Sequence, residues 1–213
     1  IGISFNVGIS SFCIINAHLA ASQFAVQKRI DGYARISSII ARRMSSNQGL
    51  IKNVLDIVKS HTRSRNQISP AKDLAPGWPV KEETLLSMFD FVFWAGDLNF
   101  RSNGTRAIID SLLKADAHQI LLNNDQLSLL IQVDPTFNGI EEGPLNFRPT
   151  YKFDKESDQY DTSKKRRIPS WTDRILFKKG SSVDVITYSS ATEIRSSDHR
   201  PVYGSFCCKI KHG

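Results

Sequence analysis

The stretch Met88-Phe-Asp-Phe-Val-Phe-Trp94, running on into Ala-Gly-Asp97-Leu-Asn99-Phe-Arg101, decides the fold. Its first seven residues make an apolar run of strand length, the signature of a strand covered on both faces. Its end delivers an acid and an amide, Asp97 and Asn99, just past that strand. Two later segments repeat the arrangement: Arg167-Ile-Pro-Ser-Trp-Thr-Asp173-Arg-Ile-Leu176, and Ser196-Ser-Asp198-His199-Arg-Pro-Val202. Acid, amide and imidazole groups at the ends of several strands are the distribution that metal-assisted phosphoester chemistry requires.

Toward the N-terminus, residues 3–17 are rich in Ile, Phe and Val and broken around Gly8, which predicts two strands joined by a turn. His18 falls at the end of the second strand. From about Ser22, the residues Val26, Ile30, Tyr33, Ile40 and Met44 recur at helical spacing, and a second short amphipathic stretch covers 50–58. Periodicity fails over 59–82, where Pro70, Pro76 and Pro79 accompany His61, Arg63 and Arg65; this predicts a loop insertion. Toward the C-terminus, helices are predicted over 105–114 and 118–131, the second broken and recapped at Asn123-Asn-Asp125. Loop is predicted over 135–149, and short strands over 150–153, 174–177, 183–188 and 202–210. Helices in the first half and antiparallel-looking strands in the second predict an α/β chain with a sheet-on-sheet core flanked by helices.

The chain of 213 residues suffices for one domain, and 40% hydrophobic with 23% charged residues is an ordinary globular composition. A formal charge of +7 favours an anionic partner, either nucleic acid or the phosphoinositide face of a membrane. Cys13, Cys207 and Cys208 give no disulfide framework and fit a reducing compartment. No apolar stretch reaches the ~18 residues of a membrane span. The start, Ile1-Gly-Ile-Ser-Phe-Asn, has neither Met nor a basic leader and reads like the middle of a strand, as in a piece cut from something longer.

Each singled-out group has a task in phosphoester chemistry. On a locally extended segment Asp97 and Asn99, at i and i+2, would point the same way, while Gly, Asp and Asn are also common turn formers. The acid then takes a proton from water or binds metal, and the amide donates to a phosphoryl oxygen. Asp173 can orient and charge the His199 imidazole for donation to phosphate. Tyr151-Lys152 and Lys165-Arg-Arg167 suit a ring bearing several phosphates, Arg with a bidentate fork and Lys with a point charge.

In this order, Asn16-Ala-His18-Leu-Ala-Ala21, Gly96-Asp97-Leu-Asn99, Trp171-Thr-Asp173-Arg and Ser197-Asp198-His199 resemble the inositol polyphosphate 5-phosphatases, within the DNase I-like endonuclease/exonuclease/phosphatase superfamily. The resemblance implies a four-layered α/β sandwich, with 1–213 a partial catalytic domain lacking its N-terminal strands. It implies Mg²⁺-dependent removal of the 5-phosphate from phosphoinositides or soluble inositol polyphosphates by direct attack of water. Asp97 is then the base; Asn99, His18 and His199 bind the scissile phosphate; Asp173 orients His199; and Asp198 belongs to the metal region. Tyr151, Lys152, Lys165 and Arg167 grip the 4-phosphate. A cytoplasmic protein peripheral to membranes follows, with a lipid or soluble inositol headgroup as partner and no nucleic acid.

Two departures accompany the likeness. Ile30 and Gly32 stand where many relatives have Asn and Asp, and no Gln-Glu pair occurs, so the main metal-binding Glu is expected upstream of Ile1. The net positive charge keeps a nuclease of the same superfamily open as an alternative. The missing Glu keeps open a non-catalytic phosphoinositide-binding module that has lost its metal site.

Overall fold

The computed structural model describes residues 1–62 and 84–211. β1 (Gly2–Val7) and β2 (Ser10–Asn16) form an antiparallel hairpin closed by the pair Val7 and Ser10, with Gly8 at φ +60 in the turn. Gly tolerates that left-handed backbone without the penalty a side chain incurs. β2 runs parallel to β3 (Phe91–Asp97), which pairs antiparallel with β5 (Asp173–Lys178). The short β4 (Ile140–Glu142) lies on the other side of β5, so the sheet order is β1-β2-β3-β5-β4.

The parallel pair requires a crossover, which α1 (Val26–Thr62) begins. Its Ile30, Tyr33 and Ala41 are buried against one face of the sheet, the Tyr33 ring lying 4.5 Å from Trp94 and 4.7 Å from Phe137. The two predicted amphipathic stretches are thus one helix. It also takes in residues 59–62 of the predicted insertion, and the remainder, 63–82, lies outside the described residues.

The opposite face carries a second sheet, the antiparallel pair β6 (Val183–Ser190) and β7 (Val202–Cys208). Phe206 of β7 wedges between Phe93 and Phe177, at ring separations of 5.3 and 5.7 Å. Alternation along β5 sends Leu176 into the helix-side core and Ile175 toward the second sheet. A sheet-on-sheet core flanked by helices is therefore present.

Local capping sets the remaining helices. α2 (Leu85–Met88) precedes β3, so Met88 ends a helix and the strand opens only at Phe91, after Asp90 has accepted the Ser11 N–H and hydroxyl. Thr105 caps α3 (Arg106–Lys114), and α4 (His118–Leu122) stops where Asp125 caps α5 (Gln126–Val133). Residues 135–149 are not all loop, because a 3₁₀ turn Pro135–Phe137 and β4 lie within them. Residues 150–153 form no strand; Tyr151 and Phe153 make only isolated bridges, to Ser170 and His199 and to Tyr160.

Candidate active site

Strand register assembles the site. Antiparallel pairing sets Asp97, the last residue of β3, directly opposite Asp173, the first of β5. Past the end of β2, the Ala17 and Leu19 N–H groups donate to the Ala95 and Asp97 carbonyls, which brings His18 alongside. Its Nε2 lies 3.5 Å from Asp97 Oδ2, with the ring largely exposed. This close approach needs Gly96: at φ +124, a Cβ there would sit 2.2 Å from the Ala17 carbonyl oxygen.

His199 arrives from the loop before β7 and donates through Nδ1 to Asp173 Oδ2 at 2.8 Å. Thr172 and Thr150 hydroxyls donate to the same oxygen at 2.8 and 3.1 Å, fixing the carboxylate. With Nδ1 so engaged, Nε2 is the nitrogen free to face a ligand. Ligand atoms of Asp97, Asp173 and His199 all lie within 4.8 Å of one another. Two carboxylates supply hard oxygen ligands, so this cluster fits a hard divalent cation through Asp97 and Asp173.

Electrostatics separates the roles. Burial, and then the neighbouring Asp173 carboxylate, raise the Asp97 pKa above its ordinary value, with His199 and His18 opposing. Burial pulls the His199 imidazole down, but the Asp173 hydrogen bond and the surrounding carboxylates outweigh it and leave it raised. A carboxylate inclined to take a proton and an imidazole inclined to keep one are matched to general base and phosphate donor.

Asn99 departs from the expected extended geometry. Its N–H donates to Asp97 Oδ1 at 3.0 Å and its φ is +58, so the chain turns and drives the side chain inward. Its Nδ2 donates to the Leu19 carbonyl at 3.1 Å, and its Oδ1 accepts from Arg101. Tyr151 also sits beside this cluster, its ring 4.5 Å from that of His199. Lys152 and Asp198 pair with each other at 2.7 Å, and Asp198 is not part of the three-residue cluster.

Lys165 and Arg167 lie on an exposed loop held by buried Asp161, which accepts the Ser163 and Arg167 N–H groups and donates its own to the Lys152 carbonyl. Among the described residues neither cation has an acidic partner, whereas Arg166 reaches Asp110. Ile30 is buried in the core and a Cβ on Gly32 would touch Leu19, so both departures from the family pattern pack beneath the site. Sequence reasoning missed Thr150, Thr172, Arg101 and Asp161. Thr150, Thr172 and Arg101 stand inside a quoted motif or beside one, which was the available signal; Asp161, four residues before Lys165, carried none.

Among known proteins, the family "Endonuclease/Exonuclease/phosphatase family 2" matches residues 1–205. The chain is 35% identical to a phosphatidylinositol polyphosphate 5-phosphatase type IV of Rattus norvegicus, covering 100% of this chain and 30% of that protein. Among solved structures, it resembles the inositol polyphosphate 5-phosphatase domain of SPsynaptojanin in complex with inositol (1,4)-bisphosphate and calcium. That likeness has a TM-score of 0.71 and 27% identity over 96% of this chain and 49% of that one. A Cimex nitrophorin, solved as a ferrous NO complex, shares the fold alone, with a TM-score of 0.60 and 23% identity over 96% of this chain and 57% of that one.

Proposed function

The chain belongs to endonuclease/exonuclease/phosphatase family 2, and from that premise we propose that it removes the 5-phosphate from phosphoinositides or inositol polyphosphates. The observation that carries this reading is the meeting of Asp97 and Asp173, at the ends of paired strands, with His199 from the loop before β7. Asp97 accepts a proton from the attacking water. His199, oriented by Asp173, donates from Nε2 to the scissile phosphate, with exposed His18 approaching the same phosphate and Asn99 offering its remaining amide hydrogen. Asp97 and Asp173 would hold magnesium, with Asp198 on the neighbouring loop, and the ion would contribute positive charge to the phosphate site. Lys165 and Arg167 grip the 4-phosphate; Lys152 joins them by exchanging Asp198 for that phosphate, and Tyr151 walls the pocket.

The proposed substrate class supports a cytoplasmic enzyme peripheral to membranes with no nucleic-acid substrate, and the +7 charge suits the anionic membrane face. The test is phosphate release by the full-length protein from inositol 1,4,5-trisphosphate in millimolar magnesium, alongside plasmid nicking. Phosphate release abolished by chelator, without nicking, is expected; nicking without phosphate release overturns the reading. Lys165→Ala with Arg167→Ala should lower kcat/KM roughly 10²-fold on a 4,5-bisphosphate, since each charge-assisted contact contributes about 1.5–3 kcal/mol. On a substrate lacking the 4-phosphate the loss should be far smaller. Equal losses that vanish at high salt would reduce the loop to a general anion attractor.

A further inference from the structure

Behind Asp97 and Asn99 lie two arginines that the reaction does not use. Arg29 is fully buried and Arg101 is 6% exposed, yet their hydrogen-bond partners are neutral. Arg29 donates to the Ala20 and Ser22 carbonyls and to Gln126 Oε1. Arg101 donates to the backbone carbonyl and Oδ1 of Asn99, at 3.1 and 2.5 Å. Among the described residues no carboxylate stands within ion-pair distance of either. Burying cations with no acid at ion-pair distance is unfavourable: burial and the neighbouring Arg101 charge, only partly opposed by the Asp97 carboxylate, pull Arg29 down to about 10. Such charge is retained where an anion arrives to balance it.

Arg101 also sets geometry. The carbon at the centre of its guanidinium lies 4.3 Å from the centre of the Tyr151 ring, whose other neighbour is the His199 ring. By taking Asn99 Oδ1, Arg101 fixes which end of the amide points away from it; Leu19 accepts one Nδ2 hydrogen and the second is left for a phosphoryl oxygen.

We propose that Arg101 is a positioning residue of the phosphate site: its planar guanidinium holds the Asn99 amide and the Tyr151–His199 pair in register, and its acid-free charge, with that of Arg29, is balanced by the incoming phosphate. This rests on the phosphatase reading above. Lysine keeps the charge but has neither the fork nor the flat face, so two substitutions separate the parts. In the full-length protein, Arg101→Lys should bind inorganic phosphate within about threefold of the parent while kcat on inositol 1,4,5-trisphosphate falls about 30-fold or more at nearly unchanged KM. Arg101→Met should lose as much kcat and also bind phosphate about tenfold more weakly or worse.

A merely structural role would lower the folded fraction of both variants but leave kcat per folded molecule and phosphate affinity unchanged, and that result overturns the proposal. So does a Lys variant that turns over within threefold of the parent, or a Met variant that binds phosphate like the Lys variant. If the parent releases no phosphate from inositol 1,4,5-trisphosphate or from phosphatidylinositol 4,5-bisphosphate in vesicles, the phosphatase reading fails, and the phosphate-binding comparison still decides the role of Arg101.

Discussion

Asp97 carries its charge where the protein disfavours it, since burial and the facing Asp173 carboxylate both raise its pKa. A carboxyl whose folded pKa exceeds its unfolded value adds stability below the unfolded pKa and loses it as pH rises through the folded one. Ionised Asp97 is therefore a strain on the neutral-pH fold. Asp97→Asn should raise Tm while cutting turnover roughly 10²-fold or more. Calorimetry beside rate measurement checks both, and a fall in Tm would show that the Asn99 N–H bond to the carboxylate outweighs burial. His199 is also raised, and it donates only while protonated. The kcat/KM profile should be bell-shaped, with an alkaline limb above the ordinary imidazole value. The alkaline limb should disappear in the residual activity of His199→Ala; its persistence would assign that limb to another group.

At the scale of elements, the site depends on how closely β2 and β3 end together. Gly96→Ala places a methyl against the Ala17 carbonyl at a backbone angle side chains rarely adopt. Neither strand end can yield without shifting His18 or Asp97. The substitution should cost about 3 kcal/mol or more, a Tm loss of about 6–12 °C for a chain this size, with kcat reduced in the molecules that remain folded. A variant with parental Tm would show that the two strand ends move apart freely. Features set by neighbours in sequence were legible beforehand: the Gly8 hairpin, the helix opening at Thr105, the recap at Asp125, and β5, β6 and β7. Features set by distant partners were not. β4 has only three residues, too few to show alternation, and exists by pairing with β5. The pairing of Asp97 with Asp173 depends on a register between strands far apart in sequence, so the motif residues were recognisable while their geometry was not. Asn99 was read as extended because spacing alone does not reveal a turn held by its neighbour's carboxylate.

Across the whole molecule, the second sheet packs through Phe206 onto Phe93 and Phe177, toward the β3–β5 side of the larger sheet. Among the described residues β1 stands at the opposite edge of that sheet with every residue exposed. Ile3, Phe5 and Val7 alternate onto one face, where Phe5 stacks 5.1 Å from Phe12, which in turn stacks 4.6 Å from Phe91. The strand Gly-Ile-Ser-Phe-Asn-Val holds no charge and no proline, the devices that keep an edge from pairing with another chain. The formal charge of +7 opposes association, but the two effects respond differently to salt. Screening shortens charge repulsion to about 8 Å at physiological ionic strength and leaves apolar burial intact. The 213-residue chain should therefore self-associate with rising concentration, more strongly as salt increases. Ile3→Lys with Val7→Lys should suppress this without lowering Tm, because both side chains are already exposed. Light scattering across a salt series checks it: a chain that stays monodisperse throughout would show that charge alone protects the edge, and association undiminished in the double-lysine variant would place the contact elsewhere.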